Sequence, residues 1–414
     1  MMREFIEAMR EAGEVVDIEE DVSSTYDAPK LAATTDKLLF FHKLDGTRRG
    51  AMNVTATRKA LSVALRIEEQ AIVQTLAGAR YDGEVHEDGR LHMRHPNLFS
   101  LPVMKHYPLD AGRYLTSGIV FSEYAGVQNA SIHRMLVQDD RRLVARLVEG
   151  RHTDSLHCLA LAAGDRLPVA IVIGAHPAVT FASCTRVPPG KELAYAAELL
   201  GGSLPVHVCE NGVRVPDAEI ILEGYIGAET ADEGPFVDIT GTYDPVRTQP
   251  VIELTGMYTR TDPIYHGILP GGNEHKILMG MPYEPAIYRS VAGVCGVRTV
   301  VLTTGGCGYL HAIVQIKKRT QGDAKNAIMA AFAAHTSLKH VVVVEEDIDV
   351  FSAEDVEYAI ATRVRGDRDL LVIPGVRGSS LDPCRSPDGT NVKIGIDATM
   401  VLGEEEKYVR AEWD

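Results

Sequence analysis

The sequence predicts an α/β protein in three parts. These are an N-terminal α/β domain over residues 1–98, a β-rich middle over residues 99–292 that closes into a barrel or sandwich, and a C-terminal α/β domain over residues 293–414. Three observations carry this. Amphipathic helical stripes alternate with strand-like runs near both ends of the chain. Between them, short apolar or alternating runs recur between Gly, Pro and Asp clusters, the pattern of an all-β core. A chain of 414 residues, 45% hydrophobic and 24% charged, has the length and composition of a globular protein with two or three domains.

Taken in order, residues 2–12 set Phe5, Ile6 and Met9 on a helical stripe that ends near Gly13, and VVDIEEDV follows as a short strand. Residues 61–80 hold Leu61, Ala64, Leu65, Ile67 and Ile72 in rough helical register and predict one helix. HPNLFSLPV, dense in loop signals, marks the first boundary. The middle then presents YLTSGIVFSEY, SIHRMLV, LPVAIVIGA, AEIILEGYIGA and PVIELTGMYTR as strands, interrupted by a helix, KELAYAAELLGG, that closes on a glycine pair. The remainder alternates the strand VRTVVLTT, the helix AKNAIMAAFAAH, the buried-type strand KHVVVVEED and the helix AEDVEYAIATRV, an order that points to parallel pairing.

Charge excludes some functions. A net charge of -15 gives no electrostatic footprint for a nucleic acid, and an anionic membrane surface would repel the chain. No apolar run reaches bilayer length, and the opening MMREFIEAMREAGE is charged and amphipathic, unlike a signal peptide, so a cytoplasmic location is expected. The six cysteines are scattered without CxxC or zinc-finger spacing and are expected as free thiols.

Several segments carry chemistry. NASIHRML packs an amide, a hydroxyl, an imidazole and a guanidinium beside an apolar run. In a regular strand Asn129, Ser131 and His133 share one face and Arg134 falls on the other, so Asn129 and Arg134 serve one site only if Asn129 precedes the strand or a bulge intervenes. EGPFVD holds two carboxylates around Gly-Pro: either a turn with solvated acids, or a rigid turn aiming Glu233 and Asp238 at one pocket, where repulsion would create a proton donor. His152, Glu192 and Asn129 supply N and O donors that suit Mn²⁺ or Mg²⁺, although spacing alone does not bring them together. Lys393 reads as a strand-edge lysine or as a phosphate contact. TTGGCGYLH has clustered glycines but neither GxGxxG nor GxxxxGK[ST], and predicts a tight connection.

Across nearly its whole length, in REFIEAMREAGEVVDIEEDV, LPVMKHYPLDAGRYLTSGIVF, QNASIHRML, VPDAEIILEGYI, EGPFVDITG and VVVVEEDIDVFSAEDVEYAIATR, the chain resembles the UbiD-type decarboxylases, which use prenylated FMN. The resemblance implies a central split β-barrel that binds flavin, flanked by an N-terminal α/β domain and a C-terminal α/β domain used in oligomerisation, as a dimer or hexamer. It implies cofactor contacts along Asn129, Ser131, Ile132, His133 and Arg134. Asn129, His152 and Glu192 would hold Mn²⁺ at the cofactor phosphate with K⁺ nearby, and Lys393 would touch that phosphate. It implies a catalytic network of Glu233, Arg134 and Asp238, with Asp238 as proton donor and Arg134 holding a carboxylate. A flavin prenyltransferase would supply the cofactor.

Fungal cinnamate-type members carry Trp and Glu where this chain has Ala130 and Asp238, so the departure bears on substrate. The wording is most like an archaeal branch that decarboxylates trans-anhydromevalonate 5-phosphate to isopentenyl phosphate in a mevalonate route to isoprenoids. His133, Arg260, His275, Lys276 and Arg289 are candidates for a substrate phosphate. The alternatives are a reversible aromatic or heteroaromatic acid decarboxylase and a non-catalytic flavin-binding or assembly subunit. Retention of Arg134, Glu233 and Asp238 together argues against the last, because storing a flavin needs no acid pair.

Overall fold

The β-rich middle folds into one eight-stranded antiparallel sheet that curls into a half-barrel. Its strand order is Tyr114–Leu115, Met135–Val137, Arg142–Ala145, Arg247–Thr259, Ala218–Glu233, Leu167–Ala175, Ile119–Tyr124 and Val127–Ile132. The computed structural model describes residues 1–411; residues 412–414, the end of the expected C-terminal domain, lie outside the described residues. The chain sorts into two compact units, one of residues 1–69 and 79–278, the other of residues 70–78 and 279–414.

Strand parity explains the sheet's two buried faces. Val169, Ile171 and Ile173 join one apolar cluster with Leu222, Ile252 and Leu254. Their neighbours Ala170 and Val172 join a second cluster with Val179, Ala182, Tyr195 and Ala196, from the helices Pro177–Cys184 and Glu192–Leu199. A strand buried on both faces has no reason to alternate, and LPVAIVIGA is accordingly an unbroken apolar run. The two longest strands slip register between Glu223 and Gly224 and again between Ile226 and Thr230, and such bulges bend a sheet. Gly224 is required there: a Cβ would stand 2.3 Å from the Glu253 carbonyl oxygen.

The N-terminal sheet orders Val15–Val22, Leu38–Leu44, Arg48–Met52 and, from far along the chain, Ile264–His266, parallel to its neighbour. Glu274 follows on the helix Asn273–Gly280. Its fully buried carboxylate accepts the Val54 and Thr55 amides at 3.1 and 3.0 Å and lies 3.0 Å from His266 Nε2. The single helix expected over 61–80 is instead two. Arg58–Leu65 is capped by the Thr57 hydroxyl and stops at Arg66, whose φ of +54° is left-handed; Ile72–Ala77 begins again and belongs to the other unit.

The second unit is built on a five-stranded sheet ordered Gly296–Leu302, His311–Lys317, His340–Val344, Thr390–Asp397 and Leu370–Arg377. Its inner pairs are parallel as expected, but both outer pairs are antiparallel. TTGGCGYLH forms the tight turn of the first outer pair, a hairpin that leaves no helix for a phosphate loop. All six cysteines are free. Among the described residues no helix is long and apolar enough to cross a membrane.

Candidate active site

The parity conflict in NASIHRML is resolved by a break. Val127–Ile132 pairs with Ile119–Tyr124, whereas Met135–Val137 pairs with Tyr114–Leu115 and Arg142–Ala145. His133 and Arg134 lie between the two strands, where the chain changes partners and the alternation restarts.

Before the break, Asn129, Ser131 and His133 converge on Thr153. Asn129 Nδ2 donates to Thr153 Oγ1 at 2.9 Å and Ser131 Oγ at 3.2 Å, and the two hydroxyls are 2.9 Å apart. His133 Nδ1 lies 2.9 Å from the Arg146 carbonyl oxygen, which can only accept, so that nitrogen carries the ring proton. Nε2, 2.9 Å from Ser131 Oγ and 3.1 Å from Thr153 Oγ1, is then left to accept. Burial holds the His133 pKa below its ordinary value and keeps the ring neutral. Ile132 packs against the second apolar cluster.

Thr153 is the second residue of the helix His152–Ala162, and His152 Nδ1 stands 3.7 Å from Glu192 Oε1 at the start of Glu192–Leu199. Glu192 is buried, and its Oε2 has no hydrogen-bond partner among the described residues; burial pushes the acid up to about 7. A buried carboxylate oxygen without a donor is costly unless a cation meets it. The Asn129 Nδ2 group is spent on hydroxyls, and its amide oxygen is the atom that could serve as a ligand. One amide oxygen, one carboxylate and one imidazole make a donor set suited to Mn²⁺. Among the described residues no three His, Cys, Asp or Glu side chains gather, so this set depends on the amide. These residues could hold a divalent metal ion.

After the break, Arg134 enters a cluster of acids. Glu233 ends the strand Ala218–Glu233, and Arg134 grips it with two bonds, Nε to Oε1 and Nη2 to Oε2, each 2.9 Å. Arg134 Nη1 reaches Asp238 Oδ2 at 3.2 Å. EGPFVD is thus a turn that aims both carboxylates at one guanidinium. Sequence reasoning missed the rest. Asp244 Oδ2 accepts Arg134 Nη2 at 2.8 Å, and its Oδ1 accepts Arg247 Nη2 at 2.8 Å. Asp244 arrives through the two-stranded hairpin Phe236–Val237 with Tyr243–Asp244, whose only sequence signal is the turn around Gly241.

The buried Tyr114 hydroxyl donates to Glu233 Oε1 and accepts the Gly234 amide, both at 3.1 Å. Phe236 lies under the guanidinium, 5.0 Å from ring centroid to carbon. Arg134 is held above even the ordinary arginine range: its burial opposes the charge, but the Glu233, Asp244 and Asp238 carboxylates outweigh it. Arg146, half-buried near this cluster, donates to the Leu147 carbonyl at 2.8 Å and has no carboxylate in ion-pair range among the described residues. Burial and repulsion from Arg247 and Arg134 depress its pKa.

The candidate phosphate ligands are scattered. His275 Nδ1 accepts the Gly271 amide at 3.1 Å, and its pKa is lowered by burial against the opposing charge of Asp238; Lys276 follows it on the helix. Arg260 is spent on Asp217 at 2.5 and 2.6 Å. Arg289, in the second unit, donates to the Ala77 carbonyl at 3.1 Å. Lys393 also lies in the second unit, where its ammonium donates to the Thr336 carbonyl at 2.8 Å and to the Leu338 carbonyl above the Phe332 ring. The structure therefore brings together Arg134, Glu233 and Asp238, then Asn129, Ser131 and His133, then His152 and Glu192.

Three family models cover the chain in sequence: the 3-octaprenyl-4-hydroxybenzoate carboxy-lyase N-terminal domain over residues 6–80, its Rift-related domain over 79–273 and its C-terminal domain over 276–398. The chain belongs to the UbiD family. It is 53% identical to an anhydromevalonate phosphate decarboxylase of Methanosarcina mazei, over 99% of this chain and 98% of that one. Among solved structures it resembles the UbiD-class enzyme HmfF from Pelotomaculum thermopropionicum in complex with FMN. That match has a TM-score of 0.95 and 33% identity, covering 100% of this chain and 97% of that one. An evolved dimeric form of the same enzyme in complex with prenylated FMN matches with a TM-score of 0.91 and 31% identity, covering 100% and 96%.

Proposed function

We propose that the chain is a prenylated-FMN-dependent decarboxylase that converts trans-anhydromevalonate 5-phosphate to isopentenyl phosphate and CO₂. The carrying observation is the Arg134 cluster, a guanidinium fixed by Glu233 with Asp238 at its other edge. The substrate is supported by the name of the Methanosarcina mazei relative, and the cofactor by the flavin-bound family structures. The half-barrel would be the flavin-binding split barrel. Asn129, His152 and Glu192 would hold Mn²⁺, and K⁺ would sit nearby. Ser131, Ile132 and His133 would line the cofactor.

Loss of CO₂ from an unsaturated acid leaves an electron pair on the α-carbon, and prenylated FMN, when bound, supplies a sink for it. The residues of this chain do the rest. Tyr114 fixes Glu233, and Glu233 fixes Arg134, so the guanidinium is pre-oriented. Three carboxylates face Arg134 and Arg247, and an entering substrate carboxylate adds a fourth. Geometry makes Asp238 the candidate donor: its one arginine contact, at 3.2 Å, is the longest in the cluster, whereas Glu233 and Asp244 are each doubly held by guanidinium groups. It then gives the proton to the α-carbon once CO₂ has left.

The test is CO₂ release by protein produced alongside a flavin prenyltransferase, with trans-anhydromevalonate 5-phosphate offered beside a panel of aromatic acids. Release from the phosphate alone is expected. Release only from an aromatic acid would move the assignment to that substrate class, and no release or solvent proton exchange with any acid would remove the catalytic reading.

A further inference from the structure

The first unit contains a cavity of about 430 Å³, lined by none of the residues that contact the Arg134 cluster or the His152–Glu192 pair. Its rim is cationic, with Arg48, Arg49 and Arg94 beside His95. Only Arg49 has an acid partner, Asp262 Oδ2 at 2.8 Å from Nε. Arg48 donates to the Ser100 carbonyl at 2.8 Å and Arg94 to the Thr259 hydroxyl, and neither has a carboxylate in ion-pair range among the described residues. The remaining wall is mixed: Ile220, Met257 and the ring of Tyr265 are apolar, Thr47 and Asn97 are polar, and the Asp262 carboxylate that pairs with Arg49 also lines it. Tyr265 is 1% exposed, and its hydroxyl has no hydrogen-bond partner. Three arginines around one cavity, two without a counter-charge, stand out in a chain of net charge -15. The volume falls in the usual range of small-molecule sites.

We propose that this cavity binds a small aliphatic phosphate monoester, its anionic head at Arg48 and Arg94 and its hydrocarbon against Ile220 and Met257. Guanidinium forks match phosphate oxygens and keep their charge at every working pH. The apolar part of the wall rewards a short carbon chain and gives the site a preference over free phosphate. The site is independent of the decarboxylase reading, because it shares no side chain with the acid–arginine cluster.

The test is calorimetric titration of n-butyl phosphate into the flavin-loaded protein, with inorganic phosphate and n-butanol as comparison probes. Besides any binding at the active site, one binding event is expected to persist in Arg134→Gln and to weaken at least tenfold in the Arg48→Gln, Arg94→Gln pair. Both arginines are at the surface or half-buried, so the pair should fold, and an unchanged melting temperature checks it. Tyr265→Phe provides a second variant that keeps the ring and removes the unpaired hydroxyl; it should bind at least as tightly as the wild type if the arginines carry the head group. Inorganic phosphate should bind more weakly and n-butanol not at all. No heat at millimolar n-butyl phosphate, binding unaffected by the arginine pair, binding lost in Arg134→Gln, or equal binding of n-butanol would each overturn the proposal.

Discussion

Arg134 meets three carboxylates with one guanidinium, and the charge count around it sets what each acid can do. Glu233, with no exposed surface, is satisfied by two guanidinium bonds and the Tyr114 hydroxyl and is held in place. Asp238 is the looser member. Asp238→Asn should therefore retain flavin but lose about a hundredfold or more in turnover, and near-normal activity would remove it as the proton donor. Tyr114→Phe strips Glu233 of one donor and leaves the Gly234 amide without its acceptor. It should lower unfolding free energy by about 1–3 kcal/mol, read from a shifted denaturant midpoint at unchanged slope. Gly234 and Pro235 mark a turn between Glu233 and Asp238, but the spacing alone leaves solvated acids as an alternative, and the family resemblance chooses the paired reading. Asp244 and Tyr114 were not legible, because a hairpin and a distant strand bring them in, and no local spacing records such pairings.

At the scale of elements, the change of partners at His133 and Arg134 lets one short segment serve two chemistries. The end nearer Asn129 is locked by hydroxyls to the helix that begins with His152, which sets the two proposed metal ligands on neighbouring elements. Asn129→Ala and His152→Ala should each weaken Mn²⁺ and flavin retention in parallel, measured by metal analysis and flavin absorbance of purified protein; full loading of both would reject the site. The strands VVDIEEDV and LPVAIVIGA emerge with the limits expected of them, because each is bounded by strong turn residues. The helix expected over 61–80 failed for an instructive reason. Its apolar register runs on past Arg66, but the two halves face different cores: Leu61 is buried in the first unit and Ile72 in the second. Periodicity shows that a face is apolar and not which core receives it.

Over the whole molecule, α/β character was visible in the alternation of element types, whereas the exchange of segments between the two compact units was not. Lys393 gives the second unit a pH signature. Burial lowers its ammonium from the usual 10.5 to about 8. Between those values the unfolded chain holds a proton that the folded chain has shed, so this group makes stability rise with pH across that window, by about 3 kcal/mol at most. Lys393→Met should flatten that part of the pH–stability curve relative to the wild type, and an unchanged slope would remove the assignment. Flavin retention in the same variant reports separately on a cofactor role. The segment exchange has a consequence for biosynthesis. Residues 70–78 wait for partners that begin at residue 279, and the first sheet waits for Ile264–His266. A ribosome must therefore extrude most of the chain before either body can close, leaving Ile72, Val73 and Leu76 without their core in the meantime. Stalled chains released at residue 98 should be protease-sensitive and chaperone-bound, while chains released just after residue 278 should resist digestion except around residues 70–78.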